Sequence, residues 1–184
     1  INAHHDEMAA VIVEPMQRVL VPQTGFLQGL REITARYEIP LIFDEMVTGF
    51  RLAYGGAQEF YGVVPDLCTV GKIMGGGYPL AGILGRADLL SMFDRQSASP
   101  EEWVNQMGTL NGSPVACAAG LATLEVLRQP GSYEKIHSNG KRVRDALVRI
   151  CADNQVQAQM CGEDVVFDIY FTDKQVVNYR DTLA

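Results

Sequence analysis

Apolar residues follow two rhythms along the chain: short unbroken runs, and longer stretches with a helical period. Met8-Ala9-Ala10-Val11-Ile12-Val13 is unbroken and stopped by Glu14-Pro15, which predicts a strand buried on both sides. Pro40-Leu41-Ile42-Phe43, Leu67-Cys68-Thr69-Val70 and Leu80-Ala81-Gly82-Ile83-Leu84 predict three more of the same kind. Thr24 is a candidate cap for a helix from Gly25 to Tyr37, with Phe26, Leu30, Ile33 and Tyr37 on one face. A short helix near 87–93 follows the fourth strand, and residues 97–102 form a polar loop. Pro114 opens a nearly uncharged helix to about Arg128, whose Ala116, Cys117, Ala118, Ala119 and Gly120 suit close packing against another backbone. Gln129-Pro130-Gly131 breaks it. Ser132 then caps a longer helix with Ile136, Val143, Leu147 and Ile150 on one side. Residues 156–160 and 165–171 predict strands, and another helix begins at the end. Unalternating strands separated by helices predict an α/β fold, a mostly parallel sheet with helices on both faces. A domain boundary is expected near residue 130, with 1–130 holding the α/β elements and 131–184 opening a smaller α+β unit.

Composition narrows the function classes. Of the 184 residues, 47% are hydrophobic and 20% charged, enough apolar material for a sizeable core, so wholesale disorder is excluded. Fifteen basic residues against 22 acidic give a net charge of -7 with no basic stripe, which argues against a nucleic-acid partner. No run approaches the roughly 20 apolar residues needed to cross a bilayer, so no membrane partner is expected. Cys68, Cys117, Cys151 and Cys161 contain no Cys-x-x-Cys pair and read as structural thiols of a protein in the reducing cytoplasm. The three scattered histidines suggest no metal site. Ile1 is not a start methionine, and the polar residues after it do not resemble a signal peptide, so the chain is expected to begin inside a longer protein.

Two residues carry candidate chemistry. Lys72 is the only lysine in the first 130 residues, where the other seven basic residues are arginines. It follows an apolar strand and precedes Ile73-Met74-Gly75-Gly76-Gly77. Burial there would favour the neutral amine, the nucleophile that Schiff-base chemistry requires; an ordinary surface lysine is the bland alternative. Asp44 ends the strand Leu41-Ile42-Phe43, and the carboxyl ends of parallel strands are where α/β sheets place ligands. A pyridoxal phosphate site pairs such a carboxylate with the protonated ring nitrogen while a lysine holds the aldehyde. A turn-capping Asp explains the same position as well. Leu41-Ile42-Phe43-Asp44-Glu45 also has the form of a Walker B strand, but Gly71-Lys72 is followed by Ile73 and lacks the upstream glycine of a P-loop. The glycines of this turn fail the dinucleotide pattern too. Gly108-Thr109-Leu110-Asn111-Gly112-Ser113-Pro114 offers hydroxyl and N–H groups to a phosphate, or is simply a turn into a Pro-initiated helix.

Val11-Ile12-Val13-Glu14-Pro15, Leu41-Ile42-Phe43-Asp44-Glu45, Thr48 to Gln58, Pro65-Asp66-Leu67, Gly71 to Gly77 and Gly108-Thr109-Leu110 follow one another in a set order and spacing. Together they resemble the class-III aminotransferases among the fold-type I pyridoxal phosphate enzymes, nearest to the glutamate-1-semialdehyde 2,1-aminomutase-like branch. The resemblance implies pyridoxal 5'-phosphate as cofactor and a small amino-acid or amino-aldehyde substrate. It implies that Lys72 forms the Schiff base and shuttles the proton, and that Asp44 pairs with the ring nitrogen. Val47 would pack near the ring. Thr109 would reach the cofactor phosphate of the neighbouring subunit in a homodimer with a shared active site. Residues 1–130 would be the C-terminal half of the cofactor-binding large domain, and 131–184 the start of the small domain. Met16-Gln17-Arg18-Val19-Leu20 departs from the aminomutases, which tend to carry Ala-Gly-Asn and a further Gly there, and favours a related aminotransferase. The upstream phosphate-binding turn and ring-stacking aromatic of the family are not found in the chain, which alone is expected to bind cofactor poorly and to be inactive. A non-catalytic remnant serving as a binding partner is the alternative reading.

Overall fold

The four unbroken apolar runs pair in chain order into one sheet. In a computed structural model, which describes residues 1–183 and leaves Ala184 outside, they are β1 (Val11–Val13), β2 (Leu41–Asp44), β3 (Leu67–Val70) and β4 (Gly82–Gly85). β1, β2 and β3 are parallel neighbours; β4 returns antiparallel on β3, with Val70 opposite Gly82. Parallel neighbours need long crossovers, and these carry α1 (Phe26–Arg36) and α2 (Gly56–Tyr61). The reversal into β4 is made by a 3-10 turn, Lys72–Gly75, and the glycine-rich loop behind it. The fold is α/β, with a mostly parallel sheet flanked by helices.

Side chains divide by strand face. Leu41 and Phe43 of β2 and Cys68 and Val70 of β3 are buried with Leu27 of α1 in the main core. Burying a Leu or Phe side chain of this kind contributes roughly 1.5–3 kcal/mol. The alternate residues Ile42, Asp44, Leu67 and Thr69 are half-buried. β1 and β4 were expected to be fully buried, yet both form sheet edges. Ile12 is 64% exposed and Leu84 48%, and among the described residues no strand pairs with their outer sides. An unbroken apolar run records what a strand tolerates on both faces, and only β2 and β3 have a neighbour on each side. β1 is also shorter than expected, with Met8, Ala9 and Ala10 outside it.

Two helix starts shift by one residue from the sequence expectation, α1 later and α5 earlier. Thr24 and Ser132 are not caps: Gly25 and Gly131 hold those positions, each with a φ of 83°, and Ser132 donates its hydroxyl to the carbonyl of Val126. Glycine reaches this left-handed geometry without a Cβ clash, so a backbone turn replaces the side-chain cap. After α3 (Ala87–Leu90), α4 (Pro114–Leu127) packs its small residues on the glycine-rich turn, as its composition predicts. A Cβ on Gly76 would crowd the Thr123 hydroxyl and lie 3.2 Å from the Ala119 carbonyl oxygen, and its φ of 58° strains any other residue, so glycine suits this close approach.

The C-terminal part is α5 (Ser132–Asp153) and a hairpin of β5 (Gln159–Glu163) and β6 (Val166–Tyr170). Val165 and Val166 pack against a second buried cluster of Met16, Leu52 and Ala57. The Tyr170 hydroxyl donates to the carbonyl of Arg18. Val143 and Ile150, expected on the covered side of α5, are 52% and 56% exposed, because the hairpin covers only part of that helix.

Candidate functional site

Candidate site residues gather where β2 and β3 end together. Asp44 closes β2 and is in register with Thr69 on the parallel neighbour. Its Oδ1 accepts the Met46 N–H at 3.1 Å, the turn contact typical of an Asp at a strand end, and the Thr69 hydroxyl at 3.0 Å. Among the described residues nothing donates to Oδ2. Two donors on one oxygen and none on the other leave a carboxylate with a fixed plane and one free acceptor.

Two residues beyond β3, Lys72 opens the 3-10 turn with a φ of 47°. Left-handed backbone at a non-glycine residue costs on the order of 1 kcal/mol and is held only when its surroundings impose it. Here α4 packs directly on the turn: Gly76 of the turn lies against Ala119 of the helix, and Gly120 of the helix lies against the Met74 carbonyl of the turn. The turn is also tied to Asp44: a Cβ on Gly71 would meet the Met46 methyl at 2.5 Å, so Met46 fills the space beside the residue preceding Lys72. The expected burial of Lys72 is corrected. Its side chain is exposed, because the elements of this chain pack on the turn's backbone and leave the amine uncovered.

A cleft of about 1010 Å³ opens beside these strand ends, lined by Asp44, Met46, Thr69, Leu80, Leu110 and Asn111 among others. Of the four residues singled out from sequence, Asp44 alone lines it. Val47 is half-buried in the turn after β2, where its carbonyl accepts the Arg51 Nε–H. Thr109 is exposed, one residue before Leu110 on the loop that borders the cleft. Thr69, which the sequence reading left as an ordinary strand residue, is brought to Asp44 by register; no local motif announces it.

Two other carboxylates show what a purely structural role looks like. Glu45, 1% exposed, points away from the cleft and accepts from the Thr48 hydroxyl, the Ala57 and Gln58 N–H groups and the Gln58 amide. It caps α2 from eleven residues upstream of that helix. Asp66 accepts the Leu41 N–H at 2.8 Å and pairs with Arg31 at 2.7 Å and Arg86 at 3.0 Å. Burial pushes the Asp66 carboxyl up, but the Leu41 N–H and the two guanidinium groups outweigh it and hold the group below its usual range.

The comparisons with known proteins join this geometry to a family. The family model described as aminotransferase class-III matches residues 1–183. The chain belongs to the class-III aminotransferases. The glutamate-1-semialdehyde 2,1-aminomutase of Methanocaldococcus jannaschii is 44% identical over 183 residues, covering 98% of this chain and 42% of the relative. An omega-transaminase from Sphaerobacter thermophilus superposes with a TM-score of 0.88 at 36% identity, over 99% of this chain and 41% of that one. A solved transaminase with PLP bound superposes with a TM-score of 0.84 at 26% identity, over 94% of this chain and 40% of that one. This class-III aminotransferase chain thus spans about two fifths of the length of the relatives it matches. Among its described residues no helix is long and apolar enough to cross a membrane.

Proposed function

We propose that the whole protein is a pyridoxal 5'-phosphate-dependent enzyme of amino-group transfer, a class-III aminotransferase or 2,1-aminomutase. The observation that carries this reading is the free Oδ2 of Asp44 beside the Lys72 turn, at the carboxyl ends of adjacent parallel strands. When bound, the cofactor supplies an aldehyde and a protonated pyridine ring that draws electrons from a substrate carbon. Asp44 is suited to accept the ring N–H at Oδ2 and so keep the ring protonated. Lys72 would hold the cofactor through Nζ, and the same amine would take up and return the substrate's α-proton. Val47 contributes an apolar contact to the ring, and Thr109 a hydroxyl to the phosphate held by a neighbouring subunit.

The same reading takes a small amino acid or amino-aldehyde as substrate and a homodimer as the working state. α4 supports the dimer: it is apolar nearly all round, yet Val115, Leu121 and Val126 are 59–66% exposed on its outer side. Residues 1–130 act as half of the cofactor-binding domain and 131–184 as part of a smaller one. Four unpaired cysteines accord with the cytoplasm. The test is covalent. After pyridoxal phosphate is added to the whole protein, borohydride should fix the cofactor to the peptide that contains Lys72, and Lys72→Ala should abolish both this label and turnover. Attachment at another lysine, or none in the wild type, overturns the proposal.

A further inference from the structure

We infer that Thr69 is a positioning residue, whose hydroxyl fixes the Asp44 carboxylate so that Oδ2 faces the cofactor. The inference rests on the function proposed above. The chain of contacts is short and complete. Asp44 and Thr69 are register partners on parallel strands, both on the half-buried face, and both line the cleft. The Thr69 backbone is held in turn, its carbonyl accepting the Glu45 N–H at 3.0 Å. Thr69 is β-branched and sits within a strand, so its hydroxyl points from a stiff scaffold. A carboxylate can only accept, so Thr69 donates, and its proton is committed to Asp44 Oδ1.

The Met46 N–H alone cannot do this. It is two residues from Asp44 and shares any movement of the turn, whereas Thr69 comes from a different strand and ties the carboxylate to the sheet. With both donors, rotation about the Cβ–Cγ bond would break a hydrogen bond. With the Met46 N–H alone, the carboxylate plane could tilt about that bond without losing its donor, and the direction of the free lone pairs would no longer be fixed. The interlock of Met46 with Gly71 then carries this orientation to the residue next to Lys72.

The experiment uses the whole protein with three substitutions. Thr69→Val keeps the shape and removes the hydroxyl; Thr69→Ser keeps the hydroxyl. Asp44→Asn tests the carboxylate itself. The readouts are the dissociation constant for pyridoxal phosphate and the pH dependence of the bound cofactor's absorbance. Thr69→Val should weaken cofactor binding roughly tenfold and displace the spectral pH midpoint, with Thr69→Ser close to wild type. If Thr69→Val binds and titrates like wild type while Asp44→Asn does not, the positioning role falls and the proposed function stands. Equal losses in Thr69→Val and Thr69→Ser would mean packing, not orientation, and would also overturn the inference. If Asp44→Asn leaves both readouts unchanged, the cofactor reading itself fails.

Discussion

Asp66 and Asp44 stand at opposite ends of the central strand pair, one just before β3 and the other at the end of β2. Both are partly shielded acids on the same sheet, and their surroundings differ in kind. Asp66 has a donor for each oxygen: Arg31 and the Leu41 N–H meet Oδ2, and Arg86 meets Oδ1. It stitches α1, β2 and the residue after β4 together. Asp44 has two donors on Oδ1 and none on Oδ2 among the described residues. A satisfied carboxylate is a structural fastening. One that is fixed but half-satisfied, beside a cleft, keeps an acceptor open to a ligand. The sharpest way to break this distinction is Asp44→Asn. It should lower kcat/KM of the whole protein roughly a hundredfold or more, the scale of losing a single charge-stabilising group. The melting temperature without cofactor should stay close to wild type, because Thr69 and Met46 can still donate to an amide oxygen. A large loss of stability would make Asp44 a second fastening and erase the contrast.

Asp66→Asn should behave in the opposite way. An amide keeps one acceptor oxygen but loses the charge that holds two arginines, and its NH₂ faces guanidinium donors. The loss should be about 2–3 kcal/mol of folding stability, measured by denaturant unfolding of the whole protein. Turnover per folded molecule should be unchanged, since no Asp66 contact reaches the cleft. A fall in kcat/KM with stability intact would mean that the amino end of the sheet takes part in the chemistry.

Of the two carboxylates only Asp44 was a candidate in the sequence, where Asp66 stood merely inside a matched segment. Asp44 and Lys72 could be singled out because each ends an apolar run, and strand ends are fixed by local pattern. The Asp44–Thr69 contact depends on register, which no single strand reveals; a slip by one residue would have removed it. Glu45 was hidden for a similar reason: it caps α2 across eleven residues, and that short helix has no apolar period of its own to announce it. Edge status was equally silent. The runs that became β1 and β4 look like those of β2 and β3, since composition shows what a strand can bury and not what lies beside it. The exposure of Lys72 follows from the same gap. The glycine-rich turn was legible as a turn, while the left-handed backbone and the open amine come from α4 packing on one side alone.

The smallest effect is also the most specific to Asp66, because it depends on protonation. The folded-state pKa of this group lies below its ordinary value, so its ionised form is favoured by folding. Its contribution is therefore fully present above the ordinary carboxylate pKa, near pH 4. It disappears as pH falls through the lower folded-state value. Wild type and Asp66→Asn should differ by a constant amount from neutral pH down to about pH 5 and then converge as the solution becomes more acid. Stability measured at intervals over that range checks the sign directly. Once Asp66 carries a proton, the wild-type side chain is as neutral as asparagine, and Arg31 and Arg86 lose the same charge in both proteins. A gap that instead widened on acidification would mean that the arginines do not govern Asp66, and the contrast with Asp44 would then rest on hydrogen-bond geometry alone.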